Sequence, residues 1–223
     1  MSMNVAELRD VKKTYKLGKV EVPALRGLTL TVKKGEFLII KGKSGSGKST
    51  TLNLLGGLDL PDSGDVMIAG QKINSYSDGN LSKMRRKNIG YIFQSFNLIP
   101  VLNALENVEY PLRLQGVSDC RAKAEDALEK VGLKDFMKHR PNELSGGQAQ
   151  RVAIARGIVT QPAIVLADEP TANLDSKTSD QILELMLELN KQNNLTFIIC
   201  SHHIAVMKSA SRVVELKDGI IRR

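Results

Sequence analysis

The chain has 223 residues, room for one large domain or two small ones, and 42 % of them are apolar, enough for a core without disulfide or metal cross-links. Charged residues make up 25 %, which excludes wholesale disorder, and 32 Lys and Arg against 24 Asp and Glu leave a net charge of +8. That balance suits an anionic partner: nucleotide, nucleic acid or lipid headgroups. Cys120 and Cys200 lack zinc-site spacing and are too few for a disulfide framework, which fits a reducing compartment. Residues 1–12 carry charges and no apolar leader, and no run approaches the ~18–20 apolar residues needed to cross a bilayer.

Residues 5–11 and 28–32 read as strands, and 37–40 as a short apolar strand running into a glycine-rich loop. A helix follows, with Leu52, Leu55 and Leu58 spaced for one apolar face. Strands are expected at 66–69 and 89–93. Between about 95 and 160 the texture turns helical. Leu102, Leu105 and Val108 share a face up to Pro111, which kinks or ends the helix. Residues 120–131 read as a second helix. A third is expected from Gly146 to 157 or 160, because Ser145 and Gln148 have capping-box spacing. The α/β pattern then resumes: a strand at 164–168, a helix striped by Ile182, Leu185, Met186 and Leu189, and a strand at 196–201 that buries Cys200. A closing hairpin pairs 213–216 with 220–222. This alternation predicts an α/β fold with a mostly parallel sheet and helices on both faces.

The strongest chemical signal is the stretch Gly42, Lys43, Ser44, Gly45, Ser46, Gly47, Lys48, Ser49, Thr50, which matches the phosphate-loop pattern with a strand before it and a helix after it. Glycines let successive N–H groups turn onto phosphates, and the helix start adds positive potential. Lys48 is expected to reach the β- and γ-phosphates, and the Ser49 hydroxyl to hold Mg2+. The second signal is the apolar strand 164–167 ending in Asp168 and Glu169, which places two acids at the carboxyl edge of a sheet. Asp168 suits the Mg2+ shell, and Glu169 suits orienting or deprotonating the attacking water. Alone, the acid pair is also a solvated turn before Pro170.

With Leu144-Ser145-Gly146-Gly147-Gln148 in place between those two signals, the chain resembles the ATPase domain of ATP-binding cassette proteins over residues 5–222. The resemblance implies one cassette domain over 1–223. It has a P-loop core formed by 1–94 and 161–223 with an N-terminal antiparallel β region, and a helical signature subdomain over 95–160. Tyr15 is similar to the aromatic that stacks on adenine, though a lone tyrosine is equally a surface or core residue. Gln94 is similar to the glutamine that touches Mg2+ and the attacking water. Ser145, Gly146, Gly147 and Gln148 are similar to the element that reaches the γ-phosphate held by the other subunit; taken alone they are a helix cap. Asp175 matches a loop that communicates between two sites, or simply caps the next helix. His202 matches the switch histidine. His139 receives no role.

Three positions depart from the family pattern: Lys43 where many relatives have proline, Ala149 where a second glutamine is common, and His203 where aspartate is usual. None removes an expected catalytic group. Several segments, including 15–18, 23–25, 96–100, 142–144 and 172–175, resemble the branch serving lipoprotein release, macrolide or peptide export and cell division. The resemblance further implies an ATP-sandwich homodimer at the cytoplasmic face of a membrane. Its transmembrane permease partner would dock near 94–114. A regulatory module that moves no cargo is the competing reading. A soluble repair or translation ATPase is disfavoured, because no second cassette, coiled coil or zinc insert is visible, so no nucleic-acid partner is expected.

Overall fold

The computed structural model describes residues 3–201, 207 and 210–222. The expected switch histidine, His202, and its neighbour His203 lie outside the described residues.

Two sheets share the chain. The first is antiparallel, in the order β2-β1-β4-β5, built from β1 (Asn4–Leu17), β2 (Val20–Lys33), β4 (Ser63–Ile68) and β5 (Gln71–Lys72). β1 and β2 form a hairpin closed by Leu17 opposite Val20. Both strands run further than the apolar pattern predicts. Their outer halves are polar and exposed, and Asp10 adopts φ 49 where the β1 register shifts, so side-chain alternation breaks midway. Pro23 is tolerated because β2 is an edge strand.

The second sheet has the order β10-β9-β3-β8-β7-β6. It comprises β3 (Phe37–Lys41), β6 (Ile89–Ile92), β7 (Ile164–Asp168), β8 (Phe197–Cys200), β9 (Arg212–Lys217) and β10 (Ile220–Arg222). All neighbours pair in parallel except β9 with β10. Alternate residues go to different cores. Phe37, Ile39, Val165, Ala167, Phe197 and Ile199 face α3 (Ala104–Leu114), α4 (Cys120–Lys130), α5 (Gly146–Ile158) and α6 (Ser176–Asn193). Leu38, Ile40, Ile164, Leu166 and Ile198 face α1 (Lys48–Leu55), α2 (Asp78–Asn88) and the antiparallel sheet. Burial on both faces is why these strands read as unbroken apolar runs.

Two expectations needed correction, and one helix carries no sequence signal. Leu58 does not extend the apolar face of α1. The helix ends at Leu55, the chain turns at Gly56-Gly57, and Leu58 is 52 % exposed while Leu54 is buried. α3 begins at Ala104 behind an Asn103–Glu106 capping box, so Leu102 lies outside it, and the helix continues past Pro111 to Leu114. α2 was not legible because only Leu81 and Met84 of its residues are buried.

Leu166 is fully buried on the α1 side, and a Cβ added at Gly56 would lie 3.2 Å from its Cδ1. Leu166→Ala should therefore lower unfolding free energy by about 2–5 kcal/mol, read from urea denaturation curves.

Candidate functional site: a phosphate cradle and a separate helix tip

The parallel register carries several predicted residues to one edge. Ile40 pairs with Cys200, Ala167 with Ile199, and Ile92 with Ala167. β3 thus empties into Gly42, β7 into Asp168 and Glu169, and β6 toward Gln94, all at the carboxyl ends of adjacent strands. Sheet geometry favours ligand sites at such an edge.

The loop after β3 has the build of an anion cradle. Gly47 is the N-cap of α1 at φ 103, and a Cβ there would sit 2.7 Å from the Ala24 carbonyl oxygen, so only glycine fits. Gly45 opens onto free space, and Lys43, Ser44 and Ser49 are exposed. Ser46 Oγ is buried and has no hydrogen-bond partner among the described residues, a donor that a phosphate oxygen would satisfy. Lys48 Nζ donates to the carbonyls of Gly42 (2.7 Å) and Lys43 (3.3 Å), which folds its ammonium back under the loop. It also lies 3.9 Å from Glu169 Oε1. Thr50 is half-buried in the first turn of α1.

Glu169 adopts φ 45, a left-handed conformation uncommon for a residue with a side chain. Its N–H donates to the Cys200 carbonyl at 3.0 Å, which anchors the turn to β8. The carboxylate therefore comes to Lys48, while Asp168 ends the strand one residue earlier. Burial, then the nearby Asp168 charge, pushes the Cys200 thiol well up, so it is neutral core. The same two influences raise Tyr91, whose hydroxyl reaches Asn53 on α1. Ser49 and Asp168 are hard oxygen donors. Mg2+ takes one or two protein oxygens beside phosphates and water, so this donor set fits it.

The Ser145 element lies elsewhere. Ser145 caps α5 through a complete capping box: Gln148 N–H donates to Ser145 Oγ (3.3 Å) and Ser145 N–H to Gln148 Oε1 (2.8 Å). Asp175 caps α6 beside it, accepting from the Thr178 N–H (3.0 Å) and hydroxyl (2.5 Å); these bonds hold its carboxyl below the usual range. The two helix starts touch, since a Cβ at Gly147 would lie 2.7 Å from Thr178 Cγ2. They enclose a concavity of about 380 Å³ lined by Ser145, Gly146, Gly147, Gln148 and Asp175 among others, with no residue of the phosphate loop.

Sequence reasoning missed the residues that fix the Gln94 loop. Gln94 is exposed, and its carbonyl accepts from Asn173 Nδ2 at 3.1 Å. Phe96 and Asn97 both have positive φ, 59 and 49. Their carbonyls are clamped by Arg156 of α5, through Nη2 to Phe96 (2.7 Å) and Nη1 to Asn97 (2.6 Å). Burial lowers the Arg156 pKa. Nothing in the local pattern of α5 distinguishes this arginine from a solvated one. Tyr15 is half-buried at the outer part of β1, and its hydroxyl donates to Asp59 Oδ2 at 2.9 Å. Arg156→Met would leave both loop carbonyls without their donors. It should cost about 1–3 kcal/mol in denaturant and make residues 94–100 an early target of limited proteolysis.

Comparison with known proteins places the chain in a family. The model of the ABC transporter family matches residues 25–172. The chain is 46 % identical over 224 residues to the lipoprotein-releasing system ATP-binding protein LolD of Alcanivorax borkumensis, covering 100 % of this chain and 98 % of that protein. It is 44 % identical over 223 residues to the macrolide export ATP-binding/permease protein MacB of Syntrophobacter fumaroxidans, covering 98 % of this chain but 31 % of that longer protein. Among solved structures, the ATP-binding cassette MJ0796, in a dimeric post-hydrolysis state bound to ADP and Pi, matches with a TM-score of 0.90 at 46 % identity, covering 98 % of this chain and 97 % of that one. The chain belongs to the ABC transporter family, in the branch that includes LolD and MacB, and is an ATP-binding, ATP-hydrolysing cassette.

Proposed function

We propose that two copies of this chain enclose two ATP molecules head to tail and drive a transmembrane partner that exports or releases a lipophilic, peptide or drug-like substrate. The observation that carries the proposal is the separation of the two halves of the site. The concavity at Ser145 holds no phosphate-loop residue, so a twofold partner is what brings a Ser145 tip to each cradle. The dimeric cassette bound to ADP and Pi supports this reading. The division into a core over 1–94 and 161–223 and a helical part over 95–160 belongs to the same proposal.

In each composite site Gly42 to Thr50 bind the triphosphate, with Lys48 at the β- and γ-phosphates and Tyr15 against adenine. Ser49, Gln94 and Asp168 would hold Mg2+, which supplies charge neutralisation across the phosphates when bound. Water attacks the γ-phosphorus in line and its proton passes to Glu169. The bond to the bridging oxygen breaks, and ADP leaves with that electron pair. Lys48, His202 and the partner's Ser145 stabilise the charge that develops on the γ-oxygens. Asp175, capping α6 against Gly147, carries the closed state of one site to the other.

The permease partner docks in a groove of about 340 Å³ beside the Gln94 loop, lined by Phe93, Ile99, Tyr110 and Leu114 with Arg86 and Arg156 among its other residues. Two of its apolar lining residues are open to solvent: Tyr110 is 44 % exposed and Leu114 46 %. No helix among the described residues is long and apolar enough to cross a membrane. In this reading the chain acts as a peripheral subunit at the cytoplasmic face. The names of LolD and MacB support this choice of partner and cargo.

Glu169→Gln should retain ATP binding, accumulate dimers with ATP in size-exclusion chromatography with light scattering, and slow turnover by about 10²–10⁴-fold. Wild-type turnover would remove Glu169 from the proton transfer. Tyr110→Glu should preserve those ATP-induced dimers while releasing the membrane partner when the complex is purified from membranes. Retention of that partner would move the docking surface elsewhere.

A further inference from the structure

A base platform is useful only if its ring is held at a fixed distance from the phosphate cradle. Tyr15 sits on the outer half of the β1–β2 hairpin, far in sequence from the loop at 42–49, with exposed neighbours Lys16 and Leu17. Strand pairing alone leaves that part of the hairpin with little packing. A small polar cluster ties it down. The Tyr15 hydroxyl donates to Asp59 Oδ2 (2.9 Å), and Lys13 Nζ donates to Asp59 Oδ1 (2.7 Å) and to the Leu60 carbonyl (2.8 Å).

Asp59 follows directly from the phosphate helix. After α1 ends, the N–H groups of Leu58 (2.8 Å) and Asp59 (3.4 Å) both donate to the Asn53 carbonyl, so the carboxylate is carried on the turn that closes that helix. The cluster is partly shielded from water, with Lys13 and Asp59 side chains 13 % and 29 % exposed. Burial opposes the Asp59 charge, but hydrogen bonds from Lys13 and Tyr15 outweigh it and keep the carboxylate ionised. Burial and the bond to Asp59 raise Tyr15, so the phenol remains a donor. Lys13 Nζ lies over the Tyr15 ring, 5.3 Å from its centroid, a cation–π contact that adds to the tether.

We infer that Asp59, steadied by Lys13, is a positioning residue that locks the Tyr15 ring to the phosphate helix and so sets the span between base platform and phosphate cradle. This inference rests on the reading of Tyr15 as the adenine platform. It assigns affinity for the base to residues that do not touch it. Stacking on an aromatic ring is worth about 1–3 kcal/mol per base, and part of that is forfeited if the ring must first be ordered.

The test compares Mg-ATP with Mg-tripolyphosphate, which has the phosphates and no base, by titration calorimetry on the full chain. Asp59→Ala and Tyr15→Phe should each weaken ATP binding by about three- to tenfold and leave tripolyphosphate binding unchanged. The double variant should lose no more than the weaker-binding single variant, because both remove one interaction. Asp59→Asn, which keeps an acceptor for the phenol, should recover most of the loss. In steady-state hydrolysis the defect should fall on KM and spare kcat. Tyr15→Ala separates the two layers of the argument. If it weakens ATP binding while Asp59→Ala and Tyr15→Phe do not, the platform stands and the positioning role is overturned. If Tyr15→Ala itself leaves ATP binding unchanged, the platform reading fails and the inference falls with it. Equal weakening of ATP and tripolyphosphate by Asp59→Ala would mark a general structural role and would also overturn the proposal.

Discussion

Burial of both faces of the parallel sheet is the constraint from which the site follows. With one set of alternating side chains against α3 to α6 and the other against α1, α2 and the antiparallel sheet, a slip in register would force each set into the other, differently shaped core. Register once fixed, β3, β8, β7 and β6 end together. A glycine loop, two acids and the start of the Gln94 segment are then delivered to one edge from distant parts of the sequence. The Lys48–Glu169 approach of 3.9 Å is a direct consequence.

The second half of the chemistry hangs on helix ends. α5 presents Ser145 at its start and Arg156 near its finish, the first beside Asp175 and the second gripping the carbonyls of Phe96 and Asn97. One rigid helix therefore joins the tip proposed to meet a neighbouring nucleotide to the loop proposed to meet a membrane partner. Asn173, just ahead of the Asp175 cap, holds the Gln94 carbonyl from the other side. A movement of the helical block relative to the sheet must be felt at both ends of this linkage, which is the physical form that coupling between hydrolysis and a partner would take.

Most of the core was legible because period and burial agree. The strand at 164–168 matched residue for residue, and the Ser145–Gln148 spacing predicted a capping box that is present with both bonds. What escaped was set by tertiary context. The outer hairpin carries no alternation because its residues face water, and α2 buries only two side chains. Asp59, Arg156 and Asn173 act through one or two hydrogen bonds each across long sequence separations, and a carboxylate or guanidinium bound for such a partner looks in sequence like any solvated charge. The left-handed backbone of Glu169, which brings its carboxylate to 3.9 Å from Lys48, is likewise not marked in the sequence.

The account stands on the claim that cradle and helix tip of one chain serve different nucleotides, and complementation between two inactive variants measures this directly. Lys48→Ala spoils the cradle, and Ser145→Arg blocks the tip. Each variant alone should lack ATPase activity. In an equimolar mixture half the dimers pair one of each, and such a dimer has one intact composite site of its two, so roughly a quarter of wild-type activity should return. A mixture that stays as inactive as its components would show that cradle and tip work within a single copy.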